Sequence, residues 1–305
     1  MIRIPHYDAF AKVEQIHKGW SSDKKYYVET DGGEKYLLRT SDASEYEKKK
    51  SEFEIMQKFT DAGIKLSFPV DFGVSDDGKS VYQLLSWIEG GEALEVLETL
   101  TEDEQYVYGK KAADMLRQME KIDHKPASPE WAQLYGERIE KYIERYLNCQ
   151  ETIEDADKLI VYLRENINRI GERPTSLMHE DFQTDNMVIS PEGELYAIDF
   201  QMCGSVDPYL AMMSVDFTAR SSVAFAVGQI NGYFGEEVPD EFWKLDAFYR
   251  LTEMLYAYPI GIDLGGEEAE EMRQIFDGVV KHLDFDKPSA PDWYVENKKR
   301  WQSKE

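Results

Sequence analysis

The stretch from Leu177 to Pro208 constrains this chain more than any other. His179, Asp181 and Asn186 stand in the order H-x-D-x-x-x-x-N, and Asp199 follows. Between them, Met187 to Ser190 and Glu194 to Ile198 are short apolar, partly β-branched runs around Pro191-Glu192-Gly193, a pattern that predicts a hairpin with a short loop. Folding that hairpin brings Asn186 opposite Asp199. A magnesium ion takes oxygen ligands and only one or two carboxylates, completing its shell with water and phosphate oxygens, so this pair suits it. The short loop from His179 to Asp185 leaves Asp181 near the same end of the hairpin, where a substrate hydroxyl could approach a metal-held phosphate.

The same spacing is that of the kinase catalytic loop, in which the Asp accepts a hydroxyl proton and the Asn binds magnesium. With Ile198-Asp199-Phe200 and Asp207-Pro208 added, the stretch resembles the aminoglycoside phosphotransferase and choline kinase-like family, which shares the protein-kinase fold. The usual family pattern is H-G-D-x-x-x-x-N followed by I-D and G-D-P-x-x-D. Here Glu180 replaces the common Gly, and Val206 and Ala211 fall where Gly and the last Asp are expected. These departures flank the metal set, so they bear on substrate class and loop shape rather than on reaction type. His179 is read as a brace of the loop, since one His without His or Cys partners is a poor metal site.

The length of 305 residues suits a two-lobed enzyme with a sizeable core. Met1 to Phe10 lacks the pattern of a secretory signal, and no stretch approaches the roughly 18 apolar residues of a membrane span, so a cytoplasmic location is expected. Cys149 and Cys203 are too few for a disulfide framework and are read as reduced thiols. A net charge of -25 argues against nucleic acid as a partner. Lys48-Lys49-Lys50 and Lys298-Lys299-Arg300 are bordered by acids and read as solvated helix faces. Most of the acidity is read as solubilising, although an acidic cleft would also steer cations.

Along the chain, a short helix is expected over Asp8 to Ile16, then a phosphate-loop candidate from Lys18 to Lys25 containing Gly19, Ser21 and Ser22. Tyr26 to Thr30, the turn Asp31-Gly32-Gly33, and Tyr36 to Arg39 form a hairpin by pattern. Ser44 to Phe59 reads as a helix, Phe68 to Val74 and Ser80 to Ile88 as strands, and Glu89-Gly90-Gly91 as an exit from the sheet. From Thr101 the period turns helical, with Tyr108, Ala112, Met115, Leu116 and Met119 as a core stripe. Helices are expected over Trp131 to Asn148, Asp157 to Ile170, Tyr209 to Ala226, Glu241 to Tyr258 and Glu267 to Leu283, with a polar tail after Pro291. The aromatics Trp131, Tyr135, Tyr142 and Tyr146 read as packing residues. Most carboxylates from Asp216 to Glu271, including Glu253, read as solvated helix charges.

The resemblance implies an α+β, bilobal protein-kinase-like fold. Residues 1–88 would form a nucleotide-binding lobe with an antiparallel sheet and one helix, and residues 89–305 a mainly helical catalytic and substrate-binding lobe. It implies that Gly19, Ser21 and Ser22 cover the nucleotide phosphates, that Arg39, paired with Glu52, stabilises the transferring charge, and that the main chain of Ser86 and Ile88 meets the base. Asp181 would be the catalytic base, with Asn186 and Asp199 holding Mg2+. The implied reaction moves the γ-phosphoryl group of ATP or GTP to a hydroxyl of a small, cationic acceptor, with aminoglycosides the leading class. Macrolides, choline-like alcohols, homoserine and sugars remain open as acceptors, as does a nucleotide-binding scaffold without turnover. A monomer is expected, with no nucleic-acid or membrane partner.

Overall fold

The computed structural model describes residues 4–5, 10–17, 23–154, 156–235, 237–282 and 290–301, with side chains described up to 277 and from 290. Its N-terminal part is a five-stranded antiparallel sheet: β1 (Lys12–Ile16), β2 (Lys24–Glu29), β3 (Lys35–Asp42), β4 (Pro69–Val74) and β5 (Ser80–Ser86), in the order β1-β2-β3-β5-β4. Alternation along these strands gives the sheet two faces. Ile4, Val28, Leu38, Tyr82 and Leu84 form a small buried cluster on one. Toward the other lies α1 (Tyr46–Asp61), whose buried residues Lys49, Glu52, Met56 and Phe59 recur at helical spacing. The expected helix over Asp8 to Ile16 is corrected for its described part: Lys12 to Ile16 is an edge strand.

After β5 the chain turns through Trp87 to Gly90 into β6 (Gly91–Glu92), α2 (Ala93–Glu98) and α3 (Glu102–Met119). Gly90 has no substitute. A Cβ there would lie 2.3 Å from the carbonyl oxygen of Ile189. The helix α3 opens with a capping box, in which Thr101 and Glu104 satisfy each other's main-chain N–H groups. There follow α4 (Pro129–Leu147), α5 (Ala156–Asn166), a 3₁₀ segment over Ile167–Glu172, and β7 (Ser176–His179). Next come a 3₁₀ turn at Thr184–Asn186, the hairpin β8 (Met187–Ile189) and β9 (Leu195–Ala197), and β10 (Cys203–Val206). Six helices follow: α6 (Pro208–Met212), α7 (Val215–Ser221), α8 (Val223–Phe234), α9 (Asp240–Leu264), α10 (Gly266–His282) and α11 (Asp292–Asn297).

Two of these differ from the sequence reading. The span from Tyr209 to Ala226 is broken, because Ser222 is extended (φ -149°, ψ 101°) and its side chain caps α8 through the Phe225 N–H. The helix α9 runs on past Tyr258 through a buried Pro259, where the rule that Pro ends a helix had placed its boundary. In the α3 stripe Tyr108 is only half-buried, while Tyr106 joins the core. No helix among the described residues is long and apolar enough to cross a membrane.

This framework positions one segment. β7 pairs antiparallel with β10, setting Cys203 across from His179, and β6 pairs with β8, setting Gly91 across from Ile189. The exit from the N-terminal sheet is thereby hydrogen-bonded to the β8–β9 hairpin, and the loops on either side of that hairpin open beneath β2 and β3.

Candidate active site

The loop between β7 and the hairpin is fixed from inside. His179 is fully buried, donates from Nε2 to the carbonyl of Ile198 at 3.0 Å, and accepts at Nδ1 from the main-chain N–H of Asp181 at 3.1 Å. These bonds join the loop before the hairpin to the loop after it. Phe182, buried against the ring, anchors the next position. Asp181 is left on the open side, where Asn186 Nδ2 donates to its Oδ2 at 2.7 Å and Gln183 Nε2 to its Oδ1 at 2.9 Å. Burial raises the Asp181 carboxyl above the usual range despite the Asn186 bond, and the nearby Asp199 and Asp185 add to the effect.

The expected hairpin is present, and Ile198 N–H bonds to the carbonyl of Asn186 at 2.9 Å, so Asn186 and Asp199 flank its open end. Asp199 takes a left-handed conformation (φ 63°), uncommon outside Gly and more accessible to Asp than to most residues. Because Asn186 directs its amide nitrogen at Asp181, its Oδ1 remains as a ligand. Burial would raise the Asp199 carboxyl, but the charges of Arg39 and Lys25 outweigh it and hold the group at about 2. An amide oxygen and an ionised carboxylate are the donor types that magnesium accepts beside phosphate and water.

Arg39 and Lys25 face each other across β2 and β3, and both reach Asp199: Lys25 Nζ lies 3.0 Å from Oδ2 and Arg39 Nη1 2.9 Å from Oδ1. The expected direct pair of Arg39 with Glu52 is not formed. The second arm of Arg39 binds Asp23 at 3.1 Å, Asp23 binds Lys49 at 2.9 Å, and Lys49 binds Glu52 at 3.1 Å. Charges alternate along Glu52, Lys49, Asp23, Arg39, Asp199 and Lys25, and Arg39, Lys49 and Glu52 are at most 5% exposed. The physical reason is reach: Lys49, one helical turn before Glu52, takes its carboxylate first. Ser41 and Gln201 also donate to Asp23, and these bonds with the Lys49 and Arg39 charges overcome burial to lower its pKa, whereas burial wins at Glu52 and raises it. The buried Nε of Arg39 has no partner among the described residues, a donor that an incoming anion would satisfy.

Lys25, Asp23 and Lys49 were missed as site residues, and Lys49 as part of a solvated face. The signal for Lys49 was present, since 49, 52, 56 and 59 form one helical stripe. Gly19, Ser21 and Ser22 lie outside the described residues. At the sheet exit, Ser86 N–H bonds to the carbonyl of Phe68 at 2.9 Å and its carbonyl accepts from Ser67 Oγ at 2.6 Å, so only one carbonyl lone pair remains for a ligand. The main chain of Ile88 bonds no other described residue. Nearby, Tyr27 and Trp87 meet edge to face at 4.9 Å in an open recess of about 390 Å³ that also borders Lys35 and Glu89.

On the helical side, Glu180 turns away from the loop and pairs with Arg138 of α4 at 2.7 Å. Glu253 of α9 belongs to the same group. Burial pushes its carboxyl up to about 7, with Glu180 and Asp181 adding and Arg138 opposing, and its buried Oε1 has no hydrogen-bond partner among the described residues. Asp216 departs from the solvated reading too, pairing with Arg250 and accepting from Trp293 Nε1 at 2.8 Å, while Glu267, Glu268, Glu270 and Glu271 are exposed as expected. Asp207 is fully buried: Arg173 grips it at 2.9 and 3.1 Å, Tyr249 donates at 2.8 Å, and it caps α6 through Tyr209 N–H. It is a latch between β10 and the helices rather than a ligand.

A buried carboxylate, an amide oxygen and a cation-flanked carboxylate meet beneath an antiparallel sheet, the arrangement of a kinase-like fold. The model of the phosphotransferase enzyme family matches residues 12–242, and the chain belongs to that family. A search of curated proteins finds no match. Among solved structures, a thermostable mutant of the aminoglycoside phosphotransferase APH(4)-Ia, in a ternary complex with ADP and hygromycin B, is 16% identical with a TM-score of 0.68, covering 90% of this chain and 94% of that one. The aminoglycoside phosphotransferase APH(2")-IIIa, in complex with GDP and kanamycin, is 14% identical with a TM-score of 0.67, covering 92% and 97%. A protein assigned as a fructosamine-3-kinase, from Haemophilus somnus 129PT, is 11% identical with a TM-score of 0.65, covering 90% and 92%. At these identities the likeness establishes the fold: α+β, with an antiparallel sheet followed by a mainly helical remainder.

Proposed function

We propose that this protein transfers the γ-phosphoryl group of ATP or GTP to a hydroxyl of a small molecule, with aminoglycosides the leading acceptor class. The observation that carries this reading is the convergence of Asp181, Asn186 and Asp199 at one end of the β8–β9 hairpin. Asp181 orients the acceptor hydroxyl and takes its proton. Asn186, through Oδ1, and Asp199 would hold a magnesium ion, which would supply positive charge to offset that developing on the phosphates. Arg39, fixed by Asp23, supplies a rigid cation to the phosphates, and Glu52 acts on it through Lys49. Gly19, Ser21 and Ser22 are assigned as donors to the phosphates. Ser86, through its carbonyl, and Ile88 meet the base beside Tyr27 and Trp87.

In this reading residues 1–88 bind nucleotide and residues 89–305 supply the catalytic loop and the acceptor site, in a cytoplasmic monomer. The aminoglycoside assignment is supported by the net charge of -25 and by the hygromycin B and kanamycin held by the two aminoglycoside kinases of the same fold. Fructosamine-like sugars are the second acceptor class. The protein assigned as a fructosamine-3-kinase, of the same fold, supports them.

Thermal unfolding tests the nucleotide half of the reading. Saturating magnesium with nucleotide should stabilise the wild type according to RT ln(1 + [L]/Kd), about 2.7 kcal/mol at a hundredfold excess over Kd. Asp199→Ala should lose most of that gain. No shift in the wild type with either ATP or GTP would overturn the reading.

A further inference from the structure

We propose that Glu253 is a specificity-determining residue of the acceptor site, where it takes a single ammonium group that the acceptor carries a few bonds from the hydroxyl presented to Asp181; this rests on the phosphotransferase reading above. The site is built by two neighbouring helices and the catalytic loop. Trp131 and Tyr135 of α4 meet Tyr249 of α9, at 3.4 Å from the indole Nε1 to the hydroxyl and 5.1 Å between the tyrosine rings. Further along both helices, Tyr142 and Tyr256 bring their rings to 4.8 Å. Arg138 and Glu253 fall between these two rungs, and Arg138 reaches Glu180 of the loop at 2.7 Å. Arg138, Tyr142, Asp181, Glu253 and Tyr256 are all half-buried, as the wall of a cleft is.

Charge decides what this cleft accepts. Three carboxylates, Glu180, Asp181 and Glu253, gather around Arg138, and its guanidinium is engaged by Glu180. Asp181 is held by the amides of Asn186 and Gln183. Glu253 is left over. Its buried Oε1 has no hydrogen-bond partner among the described residues, a costly state for a carboxylate unless a ligand completes it. The groups that face it are Arg138, Tyr135 and Tyr142 of α4 and Glu180 and Asp181 of the loop, so the acids around it outnumber the one cation. A water molecule would satisfy the oxygen but not the charge. An ammonium does both.

One ammonium is enough. Of the three carboxylates, the other without a cation is Asp181, and its partner in the reaction is the hydroxyl. The Asp181 charge adds to the rise of the Glu253 carboxyl, which puts the two within reach of one small molecule, since such an effect fades with distance. A hydroxyl on Asp181 and an ammonium on Glu253 then belong to an amino alcohol. The tyrosine pair beyond Glu253 offers ring faces and no further carboxylate, so the cleft reads one amine beside the reacting oxygen and does not require a polycation.

Paired acceptors test the assignment on the whole protein. Kanamycin, glucosamine and ethanolamine are each compared with their fully N-acetylated forms, and with glucose as a neutral control, at saturating magnesium and ATP or GTP. At least one amine should be phosphorylated, and its N-acetylated form should show a KM roughly ten- to a hundredfold higher, the worth of a charge-assisted hydrogen bond. Glu253→Gln keeps the shape and removes the charge, so it should raise the KM for the amine by the same factor with kcat little changed, and the amine-to-amide ratio should collapse. Calorimetric titration of the amine into wild type, with magnesium and a non-hydrolysable triphosphate analogue, should release protons near pH 7, because the ammonium draws the Glu253 carboxyl into its ionised form. That buffer-dependent heat should be absent in Glu253→Gln, and the wild-type measurements decide the matter if the variant folds poorly. Equal KM values for amine and amide in wild type, an amine KM unmoved in Glu253→Gln, or a preference for glucose over every amine overturns the proposal and leaves the phosphotransferase reading intact. A wild type that phosphorylates no acceptor, charged or neutral, overturns both.

Discussion

Asn186 donates its side-chain amide to both the carboxylate and the main-chain carbonyl of Asp181, at 2.7 and 2.9 Å. One residue therefore sets the direction of the carboxylate proposed as the base and keeps its own oxygen for the proposed metal. The two roles can be separated by mutation. Asp181→Asn keeps the metal ligands, so nucleotide should bind nearly as in wild type while kcat falls about 100 to 10,000-fold, the usual worth of a general base. Binding isotherms and steady-state rates on the same preparation check this. Loss of nucleotide affinity parallel to the loss of rate would show that Asp181 is not the base.

Asn186→Asp replaces the donor to Asp181 with a like charge. The Asp181 carboxyl, already raised by burial, should rise further, so the acid limb of the kcat profile should move to higher pH. A pH series on wild type and variant decides the point, and an unmoved limb assigns it to another group.

The alternating charges from Glu52 to Lys25 predict that Asp23, not Glu52, positions Arg39. Removing one member of a buried pair costs about 3 to 5 kcal/mol, because its partner is left charged and alone. Asp23→Ala strands both Arg39 and Lys49 and should lose stability on that order in urea unfolding. The milder Asp23→Asn should raise the nucleotide KM more than Glu52→Gln does, and the reverse order would restore the direct Arg39–Glu52 coupling that the sequence suggested.

Among α7 and α9, Arg250 is shared by two carboxylates, Asp216 and Asp246. Burial pushes Asp246 up to about 7, against the pull of Arg250 and with the added repulsion of Asp216. A folded pKa above the ordinary carboxylate value means that the folded state binds the extra proton. This contribution is intact below about pH 4 and is lost as pH rises through about 7. Asp246→Asn, which cannot titrate, should flatten the decline in stability between about pH 4 and 7. Parallel slopes for wild type and variant in urea unfolding across that range would remove Asp246 as the cause.

If the acceptor is a polycation, its affinity is a sum of exposed carboxylate contacts, each worth about 0 to 1 kcal/mol and sensitive to salt. Raising ionic strength from about 0.1 to 1 M shortens the Debye length from about 10 to 3 Å and should raise the acceptor KM severalfold with nucleotide saturating. An indifferent KM removes the polycation as the acceptor.

The elements that carry the catalytic geometry were legible because their signals are local. The β8–β9 hairpin announces itself by two apolar runs around Pro191-Glu192-Gly193, and α1 and α3 by helical stripes. β1 was not legible: Lys12 to Ile16 carries polar residues on both faces, as an edge strand exposed along most of its length permits, so no alternation marks it. The buried ladder was hidden for a different reason. A lysine such as Lys49 is buried only when partners distant in sequence neutralise it, and Asp23 lies 26 residues away. Glu253 likewise reads as a solvated helix charge until Arg138 and Asp181 are placed beside it.

The most direct test of the central claim is product formation. Purified protein with magnesium and either ATP or GTP is incubated with a panel of aminoglycosides, fructosamine-like sugars, macrolides and small alcohols, and each mixture is read by mass spectrometry for the gain of one phosphoryl group. The account predicts that at least one acceptor gains a phosphoryl group at a hydroxyl, with nucleoside diphosphate formed in equal amount. Asp181→Asn should slow the gain about 100 to 10,000-fold, and chelating the metal should abolish it. A protein that binds nucleotide and metal yet modifies no acceptor, releasing diphosphate no faster than its Asp181→Asn variant, would contradict the account and leave a nucleotide-binding protein without turnover.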